Sequence, residues 1–178
     1  MTQAVVAILM GSDSDLPVMN EAAETLKEFG LQYEMHVLSA HRTPHQVAEF
    51  VSGARQKGFK VFIAGAGGAA HLAGVIAAHT ILPVIGVPVD STPLAGFDSL
   101  LSTVQMPAGI PVATVAVGKV GARNAGILAA QMIALADSKL AEKLSEFKKK
   151  MAEKVLEKDR KLQTPDNRPQ TADKKITP

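Results

Sequence analysis

The sequence predicts an α/β fold of three layers (αβα), with a doubly wound parallel five-stranded sheet between helices and a long C-terminal helix. Three observations carry this expectation. Apolar runs of strand length recur at residues 4–10, 33–38, 60–64, 84–89 and 112–117. Helical stretches lie between them, as right-handed βαβ crossovers require. The first run is apolar throughout, which is the pattern of a strand covered on both faces.

The elements follow in order. After the first strand, residues 14–29 place Leu16, Met19, Ala22, Ala23, Leu26 and Phe29 at helical spacing and stop at Gly30. A second strand at 33–38 leads to a helix at 44–57, which opens on Pro44 and ends before Gly58. The third strand, 60–64, is followed by a Gly-rich turn and an Ala-rich helix over 69–80. Strands at 84–89 and 112–117 flank a short helix near 99–104, and a further helix spans 121–136. A charged helix over 137–162 carries one apolar stripe of Leu140, Leu144, Phe147, Met151 and Val155, a packing face. Five such strands favour the flavodoxin-like order 2-1-3-4-5. Its ligands bind beyond the carboxyl ends of the strands, at the switch point between strands one and three. Residues 1–162 read as one domain, and the polar, Pro-containing residues 163–178 as a disordered tail.

Composition narrows the function. With 47% apolar and 20% charged residues among 178, the chain is globular. The absence of Cys excludes a disulfide scaffold, a thiolate nucleophile and any Cys-ligated metal. Aromatics are 4%, without Trp, which leaves few stacking platforms for a flavin or a single-stranded nucleic acid. Residues 1–136 hold 7 Lys/Arg against 9 Asp/Glu, while residues 137–178 hold 12 against 8. The basic character therefore sits in the carboxyl-terminal part, and no nucleic-acid partner is expected. Residues 61–89 lack formal charge but contain five Gly and two Pro, so they read as buried strands and not as a membrane span. The amino-terminal apolar run is too short for a signal peptide, and a cytoplasmic protein is expected.

Three loops carry the chemistry. The first, Gly11-Ser12-Asp13-Ser14-Asp15, joins serine hydroxyls to helix amides that lack partners, a ready anion site. Ser12 and Asp15 also have the spacing of a capping box. The second is Ser39-Ala40-His41-Arg42-Thr43-Pro44. Thr43 is the expected N-cap, with Gln46 completing a capping box, so His41 and Arg42 fall in the turn just before the helix. An Arg there can hold a phosphate bidentately, and imidazole suits proton transfer near neutral pH. A purely structural His41, bonding loop carbonyls, fits the same spacing.

The third loop is Gly65-Ala66-Gly67-Gly68-Ala69-Ala70-His71. Its glycines permit close approach of a ligand, and Gly65, Gly67 and Ala70 match the G-x-G-x-x-A form of the dinucleotide fingerprint, though after the wrong strand. His71 fits either a ligand contact or a satisfied core histidine. His36 falls on the opposite phase from Tyr33, Met35 and Val37 and is expected at the surface, as are His45 and His79. The histidine spacing supports no metal site.

Together these loops closely resemble the PurE family, the N5-carboxyaminoimidazole ribonucleotide mutases. The resemblance continues through Leu82-Pro83-Val84-Ile85-Gly86-Val87-Pro88-Val89, Asp98-Ser99-Leu100-Leu101-Ser102, Val104-Gln105-Met106-Pro107 and Gly109-Ile110-Pro111-Val112, and covers about residues 4–160. Arg42 and the Gly67-Gly68 pair resemble the microbial mutase type. The type that carboxylates aminoimidazole ribonucleotide directly with carbon dioxide typically has Lys after the second-loop His. One departure is Ala73, where the family usually has Pro; it frees a φ angle and adds an amide.

The resemblance implies an isomerase of purine biosynthesis that moves a carboxylate from the exocyclic nitrogen of the ribonucleotide to C4 of its imidazole. It implies no cofactor and no metal. His41 would be the general acid and base. Arg42 and Ser12, with helix amides and Ser39, would hold the 5′-phosphate, Asp15 would accept from the ribose hydroxyls, and Ser14 would also contact substrate. Gly67, Gly68, Ala69, Ala70, His71 and Leu72 would line a dry pocket for carbon dioxide. It also implies a homo-octamer whose carboxyl helix packs on a neighbour. The rival readings are the direct carboxylase and a non-catalytic nucleotide-binding module.

Overall fold

The computed structural model describes residues 4–163. Five parallel strands form one sheet in the order β2-β1-β3-β4-β5, as expected. β1 (Val6–Met10) is entirely buried and lies between β2 (Tyr33–Val37) and β3 (Val61–Gly67). β4 (Val84–Val89) pairs with β3, and the two-residue β5 (Ala113–Thr114) closes the edge. The helices are α1 (Leu16–Phe29), α2 (Pro44–Ala54), α3 (Leu72–His79), α4 (Phe97–Val104), α5 (Gly118–Ala134) and α6 (Ser138–Leu162). A short 3-10 turn, Asp13–Asp15, precedes α1.

Strand alternation divides the core between two faces. On one face Ala7, Leu9, Phe62, Ala64 and Val84 pack with Val47, Val51 and Ala54 of α2 and with Leu72, Ala73 and Ile76 of α3. The opposite face receives α1: a side-chain carbon at Gly65 would collide with the sulfur of Met19. α1 and α5 lie against each other, and Gly126 permits it, since a Cβ there would come within 2.8 Å of Thr25 Cβ. The described residues divide into two compact units, 4–141 and 142–163.

The boundaries differ from the sequence expectation where the reasons are local. β3 runs on to Gly67 because Ala66 and Gly67 still pair with Pro88 and Val89. α3 starts three residues later, after Gly68 turns the chain with φ 60°. α2 stops at Ala54, and Gly58 (φ 85°) lets the chain fold back toward Phe59. β5 is shorter than residues 112–117: only Ala113 and Thr114 pair in register with Ile85 and Gly86, and Val115 N adds one bond to Gly86 O at 3.1 Å. His36 is half-buried, not at the open surface: its ring stacks on Phe50 of α2 at 4.5 Å and its Nε2 lies 3.2 Å from Glu34. His45 and His79 are exposed as expected. In α6, Leu140 and Leu144 of the predicted stripe are buried, whereas Met151 and Val155 are exposed. The expected tail falls, from residue 164 on, outside the described residues.

Gly121 supplies the first test. A Cβ there would sit 1.5 Å from the carbonyl oxygen of Ala116, and backbone cannot yield as a flexible side chain would. Gly121→Ala is therefore expected to destabilise by about 1–3 kcal/mol, read as an unchanged denaturant slope with a lower midpoint. An unshifted midpoint would show that the α5 entry is not closely packed.

Candidate active site

The three loops project from the carboxyl ends of β1, β2 and β3, and each is tied to the next. The Gly11 amide donates to Gly65 O at 3.3 Å, joining the first loop to the third. Arg42 Nη2 donates to Gly11 O, joining the second to the first. Nε2 of His41 and Nδ1 of His71 lie 2.8 Å apart, joining the second to the third, with the rings edge to face. Around these ties is a cavity of about 360 Å³. Its rim and walls include Ser12, Ser14, Asp15, Ser39, His41, Arg42, Gly67, Ala69, His71 and Leu72.

The second loop shows how local sequence presents two functional side chains. The buried Ser39 turns its hydroxyl inward, where Oγ accepts from the amides of His41 (3.3 Å) and Arg42 (3.2 Å). Thr43 is the N-cap residue, but its side chain does not cap α2. Its hydroxyl instead accepts from Ser39 N at 2.8 Å and donates to Ser39 O at 3.1 Å, so the predicted capping box is replaced by a closed loop. With these amides and hydroxyls consumed inside the loop, the side chains of His41 and Arg42 stand outward and exposed.

In the first loop, Ser12 Oγ accepts from Ser14 N at 3.4 Å and donates to Asp13 at 3.2 Å. The hydroxyl thus caps the short 3-10 turn rather than pairing with the Asp15 amide. Asp15 is only 4% exposed. Burial pushes its carboxyl above the ordinary value, opposed by hydrogen bonds from the Ser12 backbone and the Ser14 side chain and by the nearby Arg42 charge. Because the folded value is raised, the folded state holds the Asp15 proton more tightly than the unfolded chain does. Stability from this group is present below the unfolded value of 3.8 and is lost as pH rises through the raised folded value.

Above that window the ionised carboxylate works against folding. Asp15→Asn is accordingly expected to raise Tm at pH 7–8 while raising KM about 10-fold, the loss of a charge-assisted acceptor for the ligand. A lower Tm with unchanged KM would assign Asp15 to structure alone.

The third loop departs from expectation in detail. Gly68 and Ala70 do not border the cavity: Gly68 makes the turn, and Ala70 is buried. His71 is exposed and faces His41, so it is not a core histidine. Ala73 is the second residue of α3 and is buried, so it stands within a helical turn and not in a free loop. The sequence reading omitted Gly11, Ala40, Ala66 and Ser91, which also line the cavity. Ser91 was within reach of the same logic, since it follows the carboxyl end of β4.

The His41–His71 contact has a definite proton inventory. In the neutral pair one ring nitrogen donates and the other accepts. If one ring is cationic the other must be the acceptor, so the contact admits at most one extra proton. Among the described residues, no three His, Cys, Asp or Glu side chains converge as a metal-ligand set, and no helix is long and apolar enough to cross a membrane.

Fold and site together define a class: a doubly wound α/β protein with a polar cavity at the switch point of its sheet, next to a pair of histidines. Comparison with known proteins narrows it. Residues 5–154 match the family described as AIR carboxylase. The N5-carboxyaminoimidazole ribonucleotide mutase of Thermotoga maritima is 55% identical over 158 residues, 89% of this chain and 91% of that protein. That of Bacillus subtilis is 54% identical over 160 residues, covering 90% and 99%. The crystal structure of Treponema denticola PurE superposes with a TM-score of 0.83 at 31% identity, over 91% of this chain and 100% of that one. The chain belongs to the AIR carboxylase family.

Proposed function

We propose that this protein is an N5-carboxyaminoimidazole ribonucleotide mutase, an isomerase of purine biosynthesis acting through residues 1–162. The relatives that carry this activity in their names align with nearly the whole described chain. The observation that favours the chemistry is the histidine contact at 2.8 Å on the cavity wall, between the two loops suited to an anion and the Gly-rich third loop.

The reaction then runs as follows. Protonated His41 gives its proton to the exocyclic nitrogen, the N–C bond breaks with its electron pair left on nitrogen, and carbon dioxide is released into the cavity. The C4=C5 electron pair of the imidazole attacks that carbon, and one C=O pair of carbon dioxide becomes a carboxylate lone pair. His41 takes the C4 proton and returns to its starting state. One proton is given and one taken, so the step needs no oxidant, reductant or second substrate. His71, as the hydrogen-bond partner of His41, holds the ring while its charge changes. Arg42, Ser12, Ser14 and Ser39 grip the 5′-phosphate, Asp15 accepts from the ribose hydroxyls, and the wall around Gly67, Ala69 and Leu72 keeps water away from the released gas.

The deciding experiment uses substrate labelled in its carboxylate, with unlabelled bicarbonate in solution. Label retained at C4 supports internal transfer. Product formed with label lost identifies a carboxylase, and no product from folded protein identifies a binding module. The reading extends to a cytoplasmic homo-octamer. Exposed Met151 and Val155, at the far end of the predicted stripe, suit packing against another copy, and a monomer by light scattering at micromolar concentration would refute that assembly.

A further inference from the structure

We infer that Ser91 is a substrate-contacting residue of this site, donating its hydroxyl hydrogen to the carboxyl group while that group is transferred. The inference rests on the mutase reading and extends it to a fourth loop. The side of the cavity formed by Ala66, Gly67, Ala69 and Leu72 offers no polar side chain of its own. Ser91 stands against it: a Cβ built on Gly67 would meet Ser91 Oγ at 1.8 Å. Gly67 thus leaves the space that brings this hydroxyl onto the wall.

The loop that carries Ser91 is anchored on both sides. Before it, Val89 is the last residue of β4, and its carbonyl accepts from the buried Ser99 hydroxyl at 2.9 Å. After it, Thr92 Oγ1 donates to Asp98 at 2.7 Å and accepts from Leu94 N at 3.2 Å, and Thr92 O accepts from Ala95 N at 3.0 Å. Ala95 (φ 51°) and Gly96 (φ 85°) both adopt left-handed backbone, which is unfavourable for Ala and is kept by the bonds around Thr92 and Asp98. Among the described residues the Ser91 hydroxyl has no hydrogen-bond partner. Its neighbours Thr92, Asp98 and Ser99 are engaged with one another, while Ser91 alone is left facing the cavity.

A single neutral donor on an otherwise apolar wall suits a group that alternates between carboxylate and carbon dioxide. It stabilises the charge that fades from and returns to the carboxyl oxygens in the two transition states, and its weaker hydrogen bond to the neutral gas keeps that gas at the wall without slowing recapture. Ser91 transfers no proton in this scheme, since His41 gives and takes the only one. A hydrogen bond to a charged group is typically worth a factor of about 10–100.

The test is the labelled-carboxylate assay run on wild type and on Ser91→Ala side by side. Ser91→Ala is expected to keep its circular dichroism and Tm, to lose about 10–100-fold in kcat/KM, and to lose label to the bulk more readily than wild type. Gly67→Ala, which pushes the Ser91 hydroxyl off the wall, is expected to leak label in the same way. If Ser91→Ala matches wild type in rate and in label retention, or loses rate alone, the inference is overturned. The same holds if Gly67→Ala leaks and Ser91→Ala does not, since the effect then belongs to the wall. Wild type that fails to transfer label at all overturns the mutase reading and this inference together.

Discussion

His41→Asn is expected to lower kcat by about 10²–10⁴-fold while leaving the fold and the Tm close to wild type. Structural cost is small because the side chain is exposed, and the loop is held by Ser39 and Thr43 through backbone amides and hydroxyls that the substitution does not touch. What the proposed mechanism would lose is its one group that gives and then takes a proton. Asn can still offer a hydrogen bond, but its amide neither gives up nor takes a proton near neutral pH, so KM should move far less than kcat. His71→Asn separates the two rings: it leaves the acid and base in place but removes the 2.8 Å partner. It should therefore cost less than His41→Asn and shift the pH profile of kcat. Near-normal turnover by folded His41→Asn would reject the assignment. Equal losses from both single variants and no further loss from the double variant would show that the pair acts as one unit.

The fold was legible because its signals are redundant. Five apolar runs and the intervening periodic stretches admit few topologies once right-handed crossovers are imposed, and the observed order follows. The site was legible to the degree that the carboxyl-end rule is general. Ser12, Asp15, Ser39, His41, Arg42 and His71 line one cavity, as that rule leads one to expect, though they are spread over 60 positions of the chain. Local hydrogen bonding was less visible. Thr43 has the right spacing for a cap, yet its hydroxyl finds both a donor and an acceptor on Ser39, and two bonds across the loop outcompete one to α2. Ser91 lies beyond β4, outside the three loops that carry recognisable anion and proton-transfer chemistry, and a lone Ser has no motif to mark it. The glycine that makes room for it sits 24 positions earlier. His36 was misplaced because alternation reports phase within a strand and not coverage by Phe50 from α2.

Arg42→Ala is the other large effect expected, a loss of about 10²–10³-fold in kcat/KM, the size of two hydrogen bonds to a charged group. In the structure the guanidinium donates to Gly11 O, spanning the first and second loops. That contact is at the exposed rim, so truncation should lower Tm little, and inorganic phosphate offers an independent readout. Phosphate should compete with substrate in wild type, more weakly as ionic strength rises, and should lose most of its inhibitory effect in Arg42→Ala. Arg42→Lys retains the charge but not the planar fork, so it should fall between the two. In Arg42→Ala kcat should fall while KM rises, because binding energy from the phosphate end positions the imidazole against the histidines some distance away. Unchanged phosphate inhibition in a folded Arg42→Ala would move the anion site to the serine and amide groups of the first loop. The Arg42–Gly11 bond would then be a structural tie between loops, and Tm, not KM, would be the quantity that responds.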